Sequence, residues 1–135
     1  MIVPLSQVDI APQHLEIVTD ILRRHLPDRE VWAYGSRVTG RSWRYSDLDL
    51  VALGDLPIGA MLMDDLLNEM SETLLPYIVE LKDWQRIPPH WRDEILRCYA
   101  VIHSPERAEA VDEAHALRGI ERKGDPDAMR FNRPS

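Results

Sequence analysis

Residues 31–53 read VWAYGSRVTGRSWRYSDLDLVAL, and the two ends of this stretch read as strands. Residues 30–34 (EVWAY) are rich in β-formers and stop at Gly35, as a short first strand does. Gly40 and the polar run RSWRYS mark a loop. Residues 47–53 (DLDLVAL) then alternate carboxylate and leucine before turning apolar, the pattern of a second strand with one buried and one working face. Side chains two apart on a strand point the same way. Asp47 and Asp49 therefore project together, while Leu48 and Leu50 face a core.

That placement sets a chemical condition. Two neighbouring carboxylates repel one another unless a cation joins them, and all-oxygen ligation suits Mg²⁺ or Mn²⁺, with the phosphates of a nucleotide completing the shell. Gly35 lets the backbone turn sharply and approach a ligand. The Ser36 hydroxyl and nearby N–H groups can donate to phosphate oxygens if a helical turn begins there. Arg37, Arg41 and Arg44 form a basic island in the same segment, suited to a triphosphate. Gly-Ser alone is a common turn, and Asp-x-Asp alone is common at exposed strand starts. In this order, on these elements, they point to a metal and triphosphate site.

Further out, residues 12–26 place Leu15, Val18, Ile21, Leu22 and Leu26 on one helical face, with Pro12 at the first turn. Residues 57–75 recur apolar at helical spacing (Ile58, Leu62, Leu66, Leu67, Met70, Leu74) and close at Pro76, predicting a long helix between the second strand and a third at 77–81 (YIVEL). Pro88 and Pro89 lead into the helix HWRDEILRCY, and 100–103 (AVIH) reads as a last short strand. From Ser104 the composition turns polar, and a cap signal with a closing Gly119 predicts a terminal helix. The expectation is one α/β (α+β) domain over residues 1–103, a small mixed sheet with helices packed on one face, followed by a C-terminal helix and tail over 104–135.

Sixteen Lys and Arg against 23 Asp and Glu leave a net charge of −7, which disfavours long nucleic acid as the main partner and leaves a nucleotide or a protein. The first residues lack the basic and apolar regions of a leader, and no run approaches membrane-spanning length, so the reading is a cytoplasmic protein. Cys98 lies in an apolar-periodic stretch and is expected to be a buried structural thiol. The five histidines have no zinc-ligand spacing, and surface or helix-end roles suffice for them.

A two-metal centre for phosphoryl transfer calls for a third acidic group from the neighbouring strand. Glu80 is the candidate, sharing a face with Ile78 and Lys82, and Asp83 is the reserve. The competing reading of Glu80 is a salt bridge to Lys82 or to an arginine across the sheet.

Taken with LPYIVELKDW and WRDEILRCYAVIH, the opening stretch resembles the free-standing minimal nucleotidyltransferases of the DNA polymerase β superfamily, over about Asp9 to His103. The resemblance implies the polymerase-β-like fold, with Mg²⁺ on Asp47 and Asp49 and the nucleotide's phosphates on Gly35 and Ser36. It also implies transfer of a nucleotidyl group from ATP or another nucleoside triphosphate to a hydroxyl. Such proteins commonly pair with a small helical partner of the HEPN type, and some resemble antitoxins that add AMP to a tyrosine of that partner. Where the family carries a third metal-binding aspartate, this chain has Glu80 in Val79-Glu80-Leu81, which keeps the charge but adds a methylene, about 1.5 Å.

The leading expectation is therefore an enzyme that nucleotidylates a protein or small-molecule hydroxyl, with Asp47, Asp49 and Glu80 as catalytic metal ligands. The alternative is a catalytically weak nucleotide-binding module that neutralises a partner by contact. Base preference, acceptor and homo-oligomeric state stay open.

Overall fold

The computed structural model describes residues 1–105. The terminal helix expected to end at Gly119, and the tail after it, lie outside the described residues. The elements run α1 (Pro12–His25), β1 (Val31–Tyr34), α2 (Ser36–Thr39), β2 (Leu48–Ala52), α3 (Ala60–Ser71), β3 (Val79–Asp83), α4 (Pro89–Arg97) and β4 (Ala100–His103). The four strands form one mixed sheet in the order β3-β2-β1-β4. β1 pairs antiparallel with both β2 and β4, while β2 and β3 are parallel. The parallel pair needs a crossover, and α3 supplies it.

One face of the sheet carries the core. Val31, Ala33, Leu48, Leu50, Ala52 and Leu81 are buried against Val18, Ile21, Leu22 and Leu26 from α1 and its end and Leu66 and Met70 from α3. Burying each large aliphatic side chain stabilises the fold by about 1.5–3 kcal/mol. A polar clasp closes the outer edge of the α1–α3 seam, where Glu69 of α3 accepts from Arg24 and lies 2.7 Å from His25 Nε2. α4 refines the one-faced packing that the sequence predicted. It sits on the other side, its Trp91 ring 5.2 Å from the Lys82 ammonium, and Lys82 alternates with the core-facing Leu81.

The bounds of α3 and β3 differ from the sequence reading. The helix predicted from residue 57 begins at Ala60, because the Ile58 N–H is drawn to the Asp83 carboxylate (2.7 Å) and Gly59 caps the helix in extended conformation. It ends at Ser71, leaving Leu74 95 % exposed in the turn that follows. The third strand is shifted two residues onward, to Val79–Asp83. Tyr77 is held outside the ladder, its ring under the Arg37 guanidinium and its hydroxyl 3.2 Å from His14 Nδ1.

Among the described residues no helix is long and apolar enough to cross a membrane.

Candidate active site

β1 runs into the site and stops at Gly35, whose φ of 82° and ψ of −158° are open to glycine and costly to other residues. The turn makes Gly35 the cap of α2, so the first N–H groups of that short helix, at Ser36 and Arg37, precede the first intrahelical donors, Val38 and Thr39. Space dictates glycine as firmly as conformation does. A Cβ added there would lie 2.5 Å from Asp49 Oδ2. The Gly-Ser turn and the second aspartate, fourteen residues apart in the chain, thus meet in space.

The register of the sheet assembles the rest. Tyr34 pairs with Asp49 across the antiparallel ladder, and Asp49 pairs with Glu80 across the parallel one. Directly paired residues project to the same face, so Tyr34, Asp49 and Glu80 form a row over three strands, with Asp47 at the entrance to β2. Burial, then the negative charge of Glu80, then that of Asp47 push the Asp49 carboxyl up to about 6, an effect that Lys82 partly relieves. Burial, followed by the charges of Asp49 and Glu80, likewise raises the Tyr34 phenol above its ordinary range. Repelling carboxylates in a half-buried row suit a cation. Among the described residues, no three His, Cys, Asp or Glu side chains are gathered closely enough to enclose an ion as they stand.

Glu80 has neighbours on both sides. It faces Asp49, and one of its carboxylate oxygens lies 3.8 Å from the Lys82 ammonium. Asp83 drops out as the reserve, because it alternates with Glu80 onto the core side and is buried there. Its oxygens accept from the N–H groups of Ile58 (2.7 Å) and Gln85 (3.0 Å).

The basic island divides. Arg37 is a correction to the phosphate-binding set: its side chain is buried, and its guanidinium donates to the carbonyls of Ser46 (2.9 Å), Asp9 (2.7 Å) and Arg44 (3.1 Å) while lying 3.9 Å over the Tyr77 ring. Those bonds leave it bracing the loop, not facing a ligand. Arg44 stands over the exposed Tyr45 ring, and Arg41 lines a cavity of about 610 Å³ with Tyr34, Gly35, Trp91, Glu94 and Cys98. A cavity of that size suits a small ligand. Cys98 is half-buried on its wall and not enclosed in the core as expected. Tyr34 and this wall were missed in the sequence; only pairing partners distant in the chain reveal them.

Residues 16–108 match the protein family described as "Polymerase beta, Nucleotidyltransferase". A curated relative, the "Probable protein adenylyltransferase MntA" of Haemophilus influenzae, is 40% identical over 102 residues, covering 76% of this chain and 90% of the relative. Among solved structures, a toxin–antitoxin with AMP-PNP superposes with a TM-score of 0.57 at 14% identity, covering 77% of this chain and 90% of that one. A complex of a tri-AMPylated Shewanella oneidensis HEPN toxin with an MNT antitoxin superposes with a TM-score of 0.52 at 13% identity, covering 77% and 87%. At such identities these structures show the fold, and the family match with the MntA relative shows the lineage. The chain belongs to the polymerase β nucleotidyltransferase family.

Proposed function

We propose that the chain transfers the AMP group of ATP to a hydroxyl of a helical HEPN-type partner protein, using Mg²⁺ held by Asp47, Asp49 and Glu80. The observation that carries this reading is the row Tyr34–Asp49–Glu80 set against Gly35, which puts three acidic groups, Asp47 included, beside the glycine turn that opens α2. The MntA relative supports AMP as the group moved, and the fold neighbours support a HEPN toxin as the acceptor. With ATP as donor, the reaction belongs in the cytoplasm.

Residue roles follow from position. Ser36 and the first N–H groups of α2 donate to the terminal phosphates, and Arg41 adds a counter-charge from the cavity wall. Bound Mg²⁺ would neutralise the charge that develops on the transferring phosphoryl group. Glu80, on the side of the row away from Gly35, receives the acceptor's hydroxyl proton in this reading, with attacking oxygen and departing pyrophosphate on opposite sides, which the strand order supports. The bond formed joins the acceptor oxygen to the α-phosphorus; the bond broken releases pyrophosphate.

The test is incubation of the purified chain with α-labelled ATP, Mg²⁺ and the product of the adjacent gene. Label should pass to that protein with wild type and not with Asp47→Asn/Asp49→Asn. A double variant that neutralises the partner as well as wild type does, with no label transferred by either protein, would establish the contact module instead.

A further inference from the structure

Lys82 stands in an unusual position for a cation. It extends from β3 on the same face as Glu80, its ammonium is 3.8 Å from a Glu80 oxygen, and it stands over the Trp91 ring of α4 at 5.2 Å. The side chain is only 30% exposed. Its charge also reaches Asp49, whose ionised form it favours against the opposing pull of Glu80 and Asp47. One tethered ammonium thus serves two of the three carboxylates, Glu80 by direct ion pairing and Asp49 through its charge.

We propose that Lys82 is a built-in counter-cation of the carboxylate cluster, one that holds off a bare divalent ion and admits it together with the triphosphate. The inference rests on the metal-site reading above. A divalent cation arriving alone places two positive charges beside an ammonium that the Trp91 ring and the strand keep from retreating far, and Coulomb repulsion in this half-buried setting is only partly screened. The same cation arriving with a triphosphate brings an excess of negative charge, which outweighs the repulsion between the cation and the ammonium. Metal and nucleotide binding become linked, each strengthening the other by the same factor. The site would load as a metal–nucleotide complex and stay empty of free Mg²⁺.

Calorimetric titration of Mn²⁺ into the chelator-treated protein, with and without a non-hydrolysable ATP analogue, tests this on wild type, Lys82→Met and Lys82→Arg. Expected is a roughly tenfold tightening of Mn²⁺ binding in Lys82→Met without nucleotide. The factor by which the analogue strengthens Mn²⁺ binding should shrink in that variant and persist in Lys82→Arg. In metal-free buffer, Lys82→Met should melt below wild type, because its carboxylates have lost their counter-charge, and Mn²⁺ should raise its melting temperature by more than it raises wild type's. Unchanged or weaker Mn²⁺ binding in Lys82→Met, while wild type binds Mn²⁺, would overturn the role of Lys82 and leave the metal site standing. No Mn²⁺ binding by any of the three proteins, with or without the analogue, would overturn the metal site and this inference together.

Discussion

Asp49 Oδ2 occupies the space a side chain at Gly35 would need, 2.5 Å from the position of a Cβ there. Alanine at 35 would combine this clash with a backbone conformation that costs a non-glycine residue about 1–3 kcal/mol. The carboxylate tip can swing aside, so the Gly35→Ala protein should still fold, with thermal unfolding showing a loss within that range. Swinging aside takes Asp49 out of its row. Mg-ATP affinity by calorimetry should therefore fall by roughly tenfold or more, beyond what the stability loss explains.

Glu80 should separate binding from chemistry. Glu80→Gln keeps the shape and removes the base, so Mg-ATP should bind within a few fold of wild type while single-turnover transfer slows by about 10²-fold or more. Glu80→Asp, shorter by a methylene, should retain or improve transfer. Equal rates for wild type and Glu80→Gln would take Glu80 out of the mechanism, with no reserve left in Asp83, which faces the core.

For Arg37 the expected loss is in stability. Arg37→Met leaves three backbone carbonyls without their donor and removes the cation over Tyr77, which should cost about 3 kcal/mol in urea unfolding. Were Arg37 a phosphate ligand instead, the variant would hold its stability and lose only ATP affinity.

The Arg24–Glu69–His25 clasp should shape the acid limb of stability. Arg24 first, then His25, holds the Glu69 carboxyl down to about 2 from an ordinary 4.5. The unfolded chain binds this proton first on acidification, so the clasp's contribution is complete above about pH 4.5 and drains away as pH falls toward 2. Arg24 and Glu69 are both substantially exposed, and salt should blunt the effect. Glu69→Gln should lower the midpoint of thermal unfolding at neutral pH and flatten its decline below pH 4.5, as followed by circular dichroism across a pH series.

The legible part of this molecule was its parity. Glu80 pairs with Asp49, as the strand period of two requires, although its strand begins two residues later than expected, while Asp47 stands one residue before β2. A slip of two leaves every side chain on the side it had. Applied to Asp83, the same rule removes it from candidacy. Arg37 could not be read correctly, because two of its acceptors are local but the third, Asp9, lies 28 residues earlier. Charge in a basic segment advertises a ligand, and nothing local announces that backbone carbonyls will use up the guanidinium. Tyr34 was equally silent, since its role beside Asp49 exists only once two strands pair.

The buried guanidinium of Arg37 also sets how the connecting loop enters β2. By gripping the carbonyls of Arg44 and Ser46 from a position one residue past Ser36, it works as a ruler laid along the connecting loop. A residue inserted between Gly40 and Trp43 could bulge outward and leave both gripped carbonyls in place. One inserted between Arg44 and Asp47 would lengthen the measured span itself and turn the aspartates toward the core. The stretch from Arg44 to Asp47 is thus a length the fold itself enforces, and tolerance to insertion should change abruptly between Trp43 and Arg44.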